Sequence, residues 1–149
     1  METLARQVSR RLHEEHQASL SLWTRVESSL ASGAVDPALM RTAAASLAAE
    51  IERHFDFEES ELFPRLAAGG EGDIAELLRE EHATIRAAGA RFIALVKEDP
   101  SGACLKPLGL ELAERLVSHV QKEEMSMRPA LDDLLDERTD EALALEYCA

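Results

Sequence analysis

The sequence is poor in cysteine, glycine and aromatic residues, and each shortage excludes a class of protein. Its two cysteines, Cys104 and Cys148, form no C-x-x-C pair, so neither a disulfide framework nor a thiolate zinc site is expected. Seven glycines and 4% aromatic residues argue against a turn-rich β-sandwich. Because 46% of the 149 residues are hydrophobic, the chain is long and apolar enough for one folded domain. An all-α domain is the favoured class.

Positive charge and long apolar runs are also scarce. The chain has 16 Lys and Arg against 29 Asp and Glu, a net charge of -13 that would repel a phosphate backbone. No stretch approaches the roughly 18 apolar residues that span a bilayer, and the N-terminus lacks an apolar signal core. We therefore expect a soluble, cytoplasmic protein without a nucleic-acid or membrane partner. The excess of carboxylates is compatible with bound cations.

The spacing of apolar residues predicts four long helices. The first runs from about residue 3 to 31 and ends at Gly33. The second is capped by Asp36, with Pro37 at its first position, and it ends in the alanines and glycines of 67–70.

The second half of the chain predicts another helical pair and a tail. Asp73 is expected to cap the third helix, and the fourth begins near residue 105, with Pro129 marking a kink or an end. Residues 131–149 are read as one or two short helices that split near 138–140. Short loops favour an antiparallel up-down-up-down four-helix bundle over about residues 3–130, with a C-terminal helical extension, all within one domain over 1–149.

A polar pattern of the first half recurs in the second half. Leu12-x-Glu14-Glu15-His16 reappears 66 residues later as Leu78-x-Glu80-Glu81-His82. In the same way, His54-x-x-x-Glu58-Glu59 reappears 65 residues later as His119-x-x-x-Glu123-Glu124. Two helical hairpins that carry matching polar groups at matching heights can bring those groups together.

The repeated histidines and two of the glutamates point toward the apolar interior on a helical wheel of about 100° per residue. Burying them is costly unless they satisfy one another or bind an ion. A histidine and a glutamate four residues apart share one helix face, so both can reach the same metal. The set suits two metal ions bridged by two carboxylates, and its members are His16, His54, Glu58, His82, His119 and Glu123.

These motifs resemble the hemerythrin-like, or HHE, cation-binding domain over roughly residues 5–130. Its bacterial members carry Glu-His on the first and third helices and His-x-x-x-Glu on the second and fourth, and segment 54–64 is especially similar. The resemblance implies an antiparallel four-helix bundle around a non-haem di-iron centre with a solvent-derived oxo or hydroxo bridge. By carry-over, His16 and His54 hold one iron, His82 and His119 hold the other, and Glu58 and Glu123 bridge them.

The chain departs from the oxygen-carrying hemerythrins at two places. Those proteins place a second histidine four residues after the one on the third helix, where this chain has Arg86, so one nitrogen ligand is missing. They also take the second bridging carboxylate five residues after the last histidine, which would be Glu124, whereas the wheel favours Glu123. Whether His13, Glu61 or Glu124 joins the metal shell is open at this stage.

Three functions fit this pattern. The first is binding of dioxygen, nitric oxide or peroxide by two irons, for sensing, storage or iron and oxygen homeostasis, without a dedicated reaction. The second is a di-iron peroxidase or oxidase, which the missing nitrogen ligand would favour. The third is an interaction module stabilised by zinc or manganese. An apolar wall that limits water at the site is expected from Trp23, Ile51, Phe55, Ile85, Phe92 and Leu116.

Overall fold

A computed structural model describes residues 6–148, and helices make up 89% of the structure, with no strand among the described residues. The α-helices are α1 (Gln7–Ser32), α2 (Pro37–Ala49), α3 (Phe63–Ala68), α4 (Gly72–Glu98), α5 (Leu105–Lys122), α6 (Arg128–Leu134) and α7 (Glu137–Cys148). Three wider, π-helical segments continue these helices: π1 (Glu50–Phe55), π2 (Glu58–Leu62) and π3 (Glu123–Met127). The prediction of an all-α chain is confirmed.

The predicted boundaries between the first two helices are confirmed. Gly33 ends α1 in the left-handed region, at φ 79°, and its N–H donates to the carbonyl of Leu30. Asp36 caps α2, where its side chain accepts the N–H groups of Ala38 and Leu39, and Pro37 occupies the first turn. The predicted first residues of α1, 3–5, lie outside the described residues.

The prediction that Asp73 caps the third helix is wrong. The N–H of Glu71 donates to the carbonyl of Leu66 at 2.8 Å, so the chain turns back and enters α4 early. The carbonyl of Glu71 then accepts the N–H of Ala75, and α4 starts at Gly72 without a side-chain cap. Asp73 lies in the first helical turn, where its charge suits the helix N-terminus.

Of the kink or end predicted at Pro129, the end is wrong, and the predicted split near 138–140 falls earlier in the structure. Pro129 lies in the first turn of α6, directly after π3, and the helix continues to Leu134. Proline has no N–H to donate, and its ring crowds the carbonyl four residues earlier. The wider turn of π3 gives the ring room and does not need that hydrogen bond. The break falls instead at Leu135 and Asp136. The side chain of Asp136 accepts the N–H of Thr139, in the first turn of α7.

The helices enclose two apolar clusters with a polar layer between them. Trp23, Leu47, Phe92 and Leu112 are among the residues of the first cluster. The second cluster contains Leu12, Leu66, Leu78 and Leu131. Along α1, His16 falls between the two clusters, as His82 does along α4. Within residues 6–148, no helix is both long enough and apolar enough to cross a bilayer.

Candidate metal centre

Six buried polar side chains converge in the layer between the apolar clusters. Their relative exposures are all 2% or less, so water does not solvate them. They form two groups, in each of which one ligand atom per residue lies within 4.8 Å of the others. The first group is His16, His54, Glu58 and Glu123, and the second is Glu58, His82, His119 and Glu123. The two carboxylates therefore belong to both groups.

The π-helical segments coincide with half of these side chains. His54 lies in π1, and Glu58 and Glu123 begin π2 and π3. The widened turns are visible in their hydrogen bonds, because the carbonyls of Glu58 and Glu123 each accept an N–H from five residues later. Single π-helical turns are rare in proteins as a whole, but those that occur often lie at functional sites.

The Nε2 atoms of all four histidines face the shared carboxylates. His16 Nε2 lies 2.8 Å from Glu123 Oε1, and His119 Nε2 lies 3.2 Å from Glu123 Oε2. His54 Nε2 and His82 Nε2 each lie 3.1 Å from an oxygen of Glu58. The Nε2 atoms of His82 and His119 are 3.1 Å apart. Four ring nitrogens and two carboxylates thus share one small volume.

The opposite ring nitrogen, Nδ1, of each histidine contacts a second carboxylate at 2.8 to 3.0 Å. These four outer carboxylates follow or precede a candidate ligand in the sequence and are partly exposed. The pairs are His16 with Glu124, His54 with Glu15, His82 with Glu59, and His119 with Glu81. This contact fixes the ring orientation, as carboxylate partners do for metal-binding histidines.

The outer carboxylates determine which chemistry the inner atoms offer. An ionised carboxylate can only accept, so each Nδ1 carries the donated proton and Nε2 of a neutral ring offers a lone pair. The inner layer then contains acceptors without donors. Accordingly, His54 Nε2, both oxygens of Glu58 and Glu123 Oε2 are buried without a hydrogen-bond partner in the described structure. Such atoms are costly to bury unless a cation satisfies them, so the donor set fits metal ions.

The pKa values of His54, His119 and Glu123 also indicate that the layer favours positive charge. Burial disfavours the imidazolium, yet the charge and hydrogen bond of Glu123 raise the pKa of His119 to about 10. Burial also disfavours the imidazolium of His54, but Glu58, Glu123 and Glu15 together hold the pKa of this ring well above its ordinary value. Burial opposes ionisation of Glu123, but His119 and the other rings hold the pKa of that carboxyl well below its ordinary value. Protons therefore compete with metal ions for this layer.

A basic side chain lies beside each of the four outer carboxylates, and for Glu15 it is Arg11, 3.5 Å from Oε2. Glu59 contacts Arg86 and Glu81 contacts Lys122, while Arg128 Nη1 lies 2.5 Å from Glu124 Oε2. Arg86, which stands where the oxygen carriers have a histidine, also contacts Asp56 at 2.8 Å. Its side chain thus belongs to the outer shell, and neither of the two groups contains a third histidine.

Three residues for which the sequence left open a place in the metal shell lie outside both groups. His13 is half-exposed, with Nδ1 2.8 Å from Glu124 Oε1. Glu61 is partly exposed, and its Oε2 lies 3.8 Å from Arg65 Nη2. Glu124 contacts the outer nitrogen of His16, while Glu123 is a member of both groups.

The apolar side chains predicted to line the centre are buried or partly buried in the structure. Trp23, Phe55, Ile85, Phe92 and Leu116 are buried in the first apolar cluster, and Ile51 is partly buried against it. Phe55 stacks flat on the ring of His82, with centroids 3.8 Å apart. The first cluster thus borders the centre through Phe55, which holds the ring of His82 in place.

A cavity of ≈ 380 Å³ between α1 and the α2–π1 region reaches the centre from one side. Its lining includes His54, Glu15, Glu50 and Tyr147. Burial raises the pKa of Glu50 above its ordinary value. A small molecule in this cavity would contact the edge of the His16 and His54 group.

The role of the outer carboxylates was not predicted from the sequence. Glu15, Glu59, Glu81 and Glu124 all stand next to a candidate ligand and recur in the repeat. That recurrence was the available signal, because a glutamate repeated beside each ligand is placed to contact a ring on the neighbouring helix. Tyr147 carried no comparable signal, since it lies in the tail beyond the repeat.

The chain matches the model of a known protein family. The family model of the hemerythrin HHE cation-binding domain matches residues 7–131, which is most of the chain and includes all six inner residues. No curated protein and no solved structure matches the chain.

Proposed function

This chain belongs to the hemerythrin HHE cation-binding family, and we propose that it is a non-haem di-iron protein that binds dioxygen, nitric oxide or peroxide. The proposal rests above all on the inner layer, in which ring nitrogens and carboxylate oxygens converge without a donor to satisfy them. When bound, two iron ions supply the redox chemistry and the open positions that such small ligands require.

The two groups suggest how the ions would be held. In this proposal His16 and His54 hold one ion, His82 and His119 hold the other, and Glu58 and Glu123 bridge them. The distances of 2.8 to 3.2 Å between the ring nitrogens and the shared carboxylates support this division. Iron is proposed because the resemblance to hemerythrin-like domains implies it, and the imidazole and carboxylate ligands of the two groups suit it.

We also propose an antiparallel four-helix topology for the bundle. Its members would be α1, the continuous run from α2 to α3, α4, and the run from α5 to α6, with α7 as the extension. Short connections between long helices support it, since three to six residues join each member to the next.

The environment of the centre supports ligand binding without a dedicated reaction. The apolar wall limits water, and the cavity beside His54 offers a small molecule a route to the ions. The outer carboxylates hold the rings in place and keep their Nε2 lone pairs directed inward. A cytoplasmic location fits the two exposed, unpaired cysteines.

The proposal is tested by optical spectroscopy on iron-loaded protein. The oxidised protein should show charge-transfer bands in the visible range that disappear with dithionite and return on exposure to air. The metal-free protein and the Glu58→Gln variant are the controls, and both should lack the bands. A protein that gives no iron-dependent band, or whose bands ignore both reduction and oxygen, would contradict the proposal.

A peroxide-consuming enzyme is the second candidate, and Arg86 is the observation that favours it. Because Arg86 contacts Glu59 and no third histidine joins either group, each ion would have only two nitrogen ligands and further open positions. Steady turnover of hydrogen peroxide by the iron-loaded protein, lost in His119→Ala, would support this candidate. Stoichiometric binding without turnover would exclude it.

A further inference from the structure

The four outer carboxylates differ in what holds them in place. Each of them contacts a basic side chain, which for Glu15 is Arg11 of α1. Among the four, Glu15 is the one that also accepts a hydrogen bond from the phenolic hydroxyl of Tyr147, which comes from α7. The same atom, Oε1, contacts Nδ1 of His54 at 2.9 Å, while Arg11 lies 3.5 Å from Oε2. Tyr147 thus acts on the oxygen that orients His54.

Tyr147 is itself fixed by several contacts. Its side chain is buried, and its ring packs on Phe57 with centroids 4.5 Å apart. The guanidinium of Arg53 lies 4.6 Å from the ring centroid and donates a hydrogen bond to the backbone carbonyl of Tyr147 at 2.6 Å. Burial raises the pKa of Tyr147, so the hydroxyl keeps its proton and donates it. These contacts hold the hydroxyl against Glu15.

Helix α7 is also attached at its other end. The buried carboxylate of Asp140 accepts the N–H groups of Gln7 and Val8, at 2.8 and 3.0 Å, and so caps the start of α1. Leu143, between Asp140 and Tyr147, is buried in the second apolar cluster. The helix therefore lies along the side of the centre that carries His16 and His54, and nothing equivalent contacts the side of His82 and His119 within the described residues.

We infer that Tyr147 is a positioning residue for His54, and that α7 makes the two metal subsites unequal. The subsite of His16 and His54 depends on the hydroxyl of Tyr147 through Glu15. The subsite of His82 and His119 depends instead on Arg86 and Lys122. This inference rests on the proposed function in assuming that two ions bind, and it adds that one of them responds to the C-terminal helix, which lies beyond the residues of the family match.

The test measures the affinity of each subsite separately with Co²⁺. His119→Ala leaves the subsite of His16 and His54, and His16→Ala leaves the other, and visible absorption of bound Co²⁺ reports the binding. Tyr147→Phe, which keeps the ring and removes only the hydroxyl, should lower Co²⁺ affinity about tenfold in the His119→Ala background. In the His16→Ala background it should leave the affinity unchanged.

Lys122→Met is the matched control, because it removes the partner of Glu81 on the other side. It should weaken Co²⁺ binding in the His16→Ala background and leave the His119→Ala background unchanged. Equal losses at both subsites with Tyr147→Phe, or no loss at either, would overturn the inference while the proposed function stands. A wild-type protein that binds fewer than two Co²⁺ ions would overturn both.

A measurement without metal tests the positioning role directly. In the metal-free protein the Nδ1 proton of His54 should exchange slowly with solvent, because Glu15 and Tyr147 enclose it, and proton NMR can follow it. Tyr147→Phe should speed this exchange and leave the corresponding proton of His119 unchanged. Unchanged exchange at His54 would overturn the assignment of Tyr147 as its positioning residue.

Discussion

Replacing Glu123 with Gln tests the centre most sharply, because this carboxylate belongs to both groups. Its oxygens lie 2.8 Å from His16 Nε2 and 3.2 Å from His119 Nε2, and 3.7 Å from the Nε2 atoms of His54 and His82. Gln has nearly the same shape and fills the same buried volume. The change therefore removes one negative charge and places a donor among the acceptors without leaving a cavity.

The size of the effect follows from the position of the carboxylate. Altering an outer partner of a ligand costs about 10- to 100-fold in metal affinity. A shared inner carboxylate should cost at least the upper value for each ion, which is about 2.7 kcal/mol per ion. The metal-free protein should change as well. Because Glu123 is the largest influence that raises the pKa of His119, that pKa should fall from about 10 toward the ordinary value of 6.5.

Two assays check the prediction. Isothermal titration with Fe²⁺ under anaerobic conditions gives the number and affinity of bound ions, and proton NMR gives the pKa of His119 in the metal-free protein. Glu114→Gln, at an exposed position of α5, is the matched control and should behave as wild type. Two ions bound by Glu123→Gln with wild-type affinity, or an unchanged pKa of His119, would refute the reasoning.

Three further predictions concern stability. In the metal-free protein, the free energy of unfolding should fall as pH rises from about 6.5 to about 10, because the raised pKa of His119 favours folding only while the ring is protonated. Urea titrations across this range check it, and rising stability would contradict it. Asp140→Ala should cost about 1–3 kcal/mol in urea unfolding by leaving two backbone N–H groups without their acceptor, whereas the exposed Asp133→Ala should cost little. Gly109→Ala should lower the melting temperature, since its Cβ would lie 2.4 Å from Leu30 Cδ1 in the packed core, at a cost of about 1–3 kcal/mol. Gly72→Ala, where nothing lies within 4 Å of the new Cβ, is its control, and equal melting temperatures for both variants would contradict the packing argument.

The sequence was sufficient for the helical class and for the position of most helix ends. Gly33, Asp36 and Pro37 act through local backbone chemistry, so their effect is readable from neighbouring residues alone. The cap predicted at Asp73 is wrong because the hydrogen bond from the N–H of Glu71 to the carbonyl of Leu66 closes a turn that starts α4 before Asp73. Pro129 does not end the helix, as one of the two predicted alternatives had it, because the wider turn of π3 precedes it and accommodates the proline.

The sequence repeat was enough to predict the six inner residues, but not the contacts between the outer carboxylates and the histidine rings. Which ring each of Glu15, Glu59, Glu81 and Glu124 meets depends on how neighbouring helices are rotated and staggered. The π-helical turns were also invisible, because they follow from packing around the polar layer rather than from helix propensity. Tyr147 reaches the centre only through the docking of α7, a long-range contact that spacing within the chain does not encode.

The number of iron ions held per chain tests the central claim most directly. Elemental analysis of iron-loaded, desalted protein should give about two ions for the wild type. It should give fewer than one for a variant in which Glu58 and Glu123 are both replaced by Gln, with the helical circular dichroism retained. A wild type that holds no iron, or a double variant that still holds two ions, would contradict a metal centre built from these six side chains.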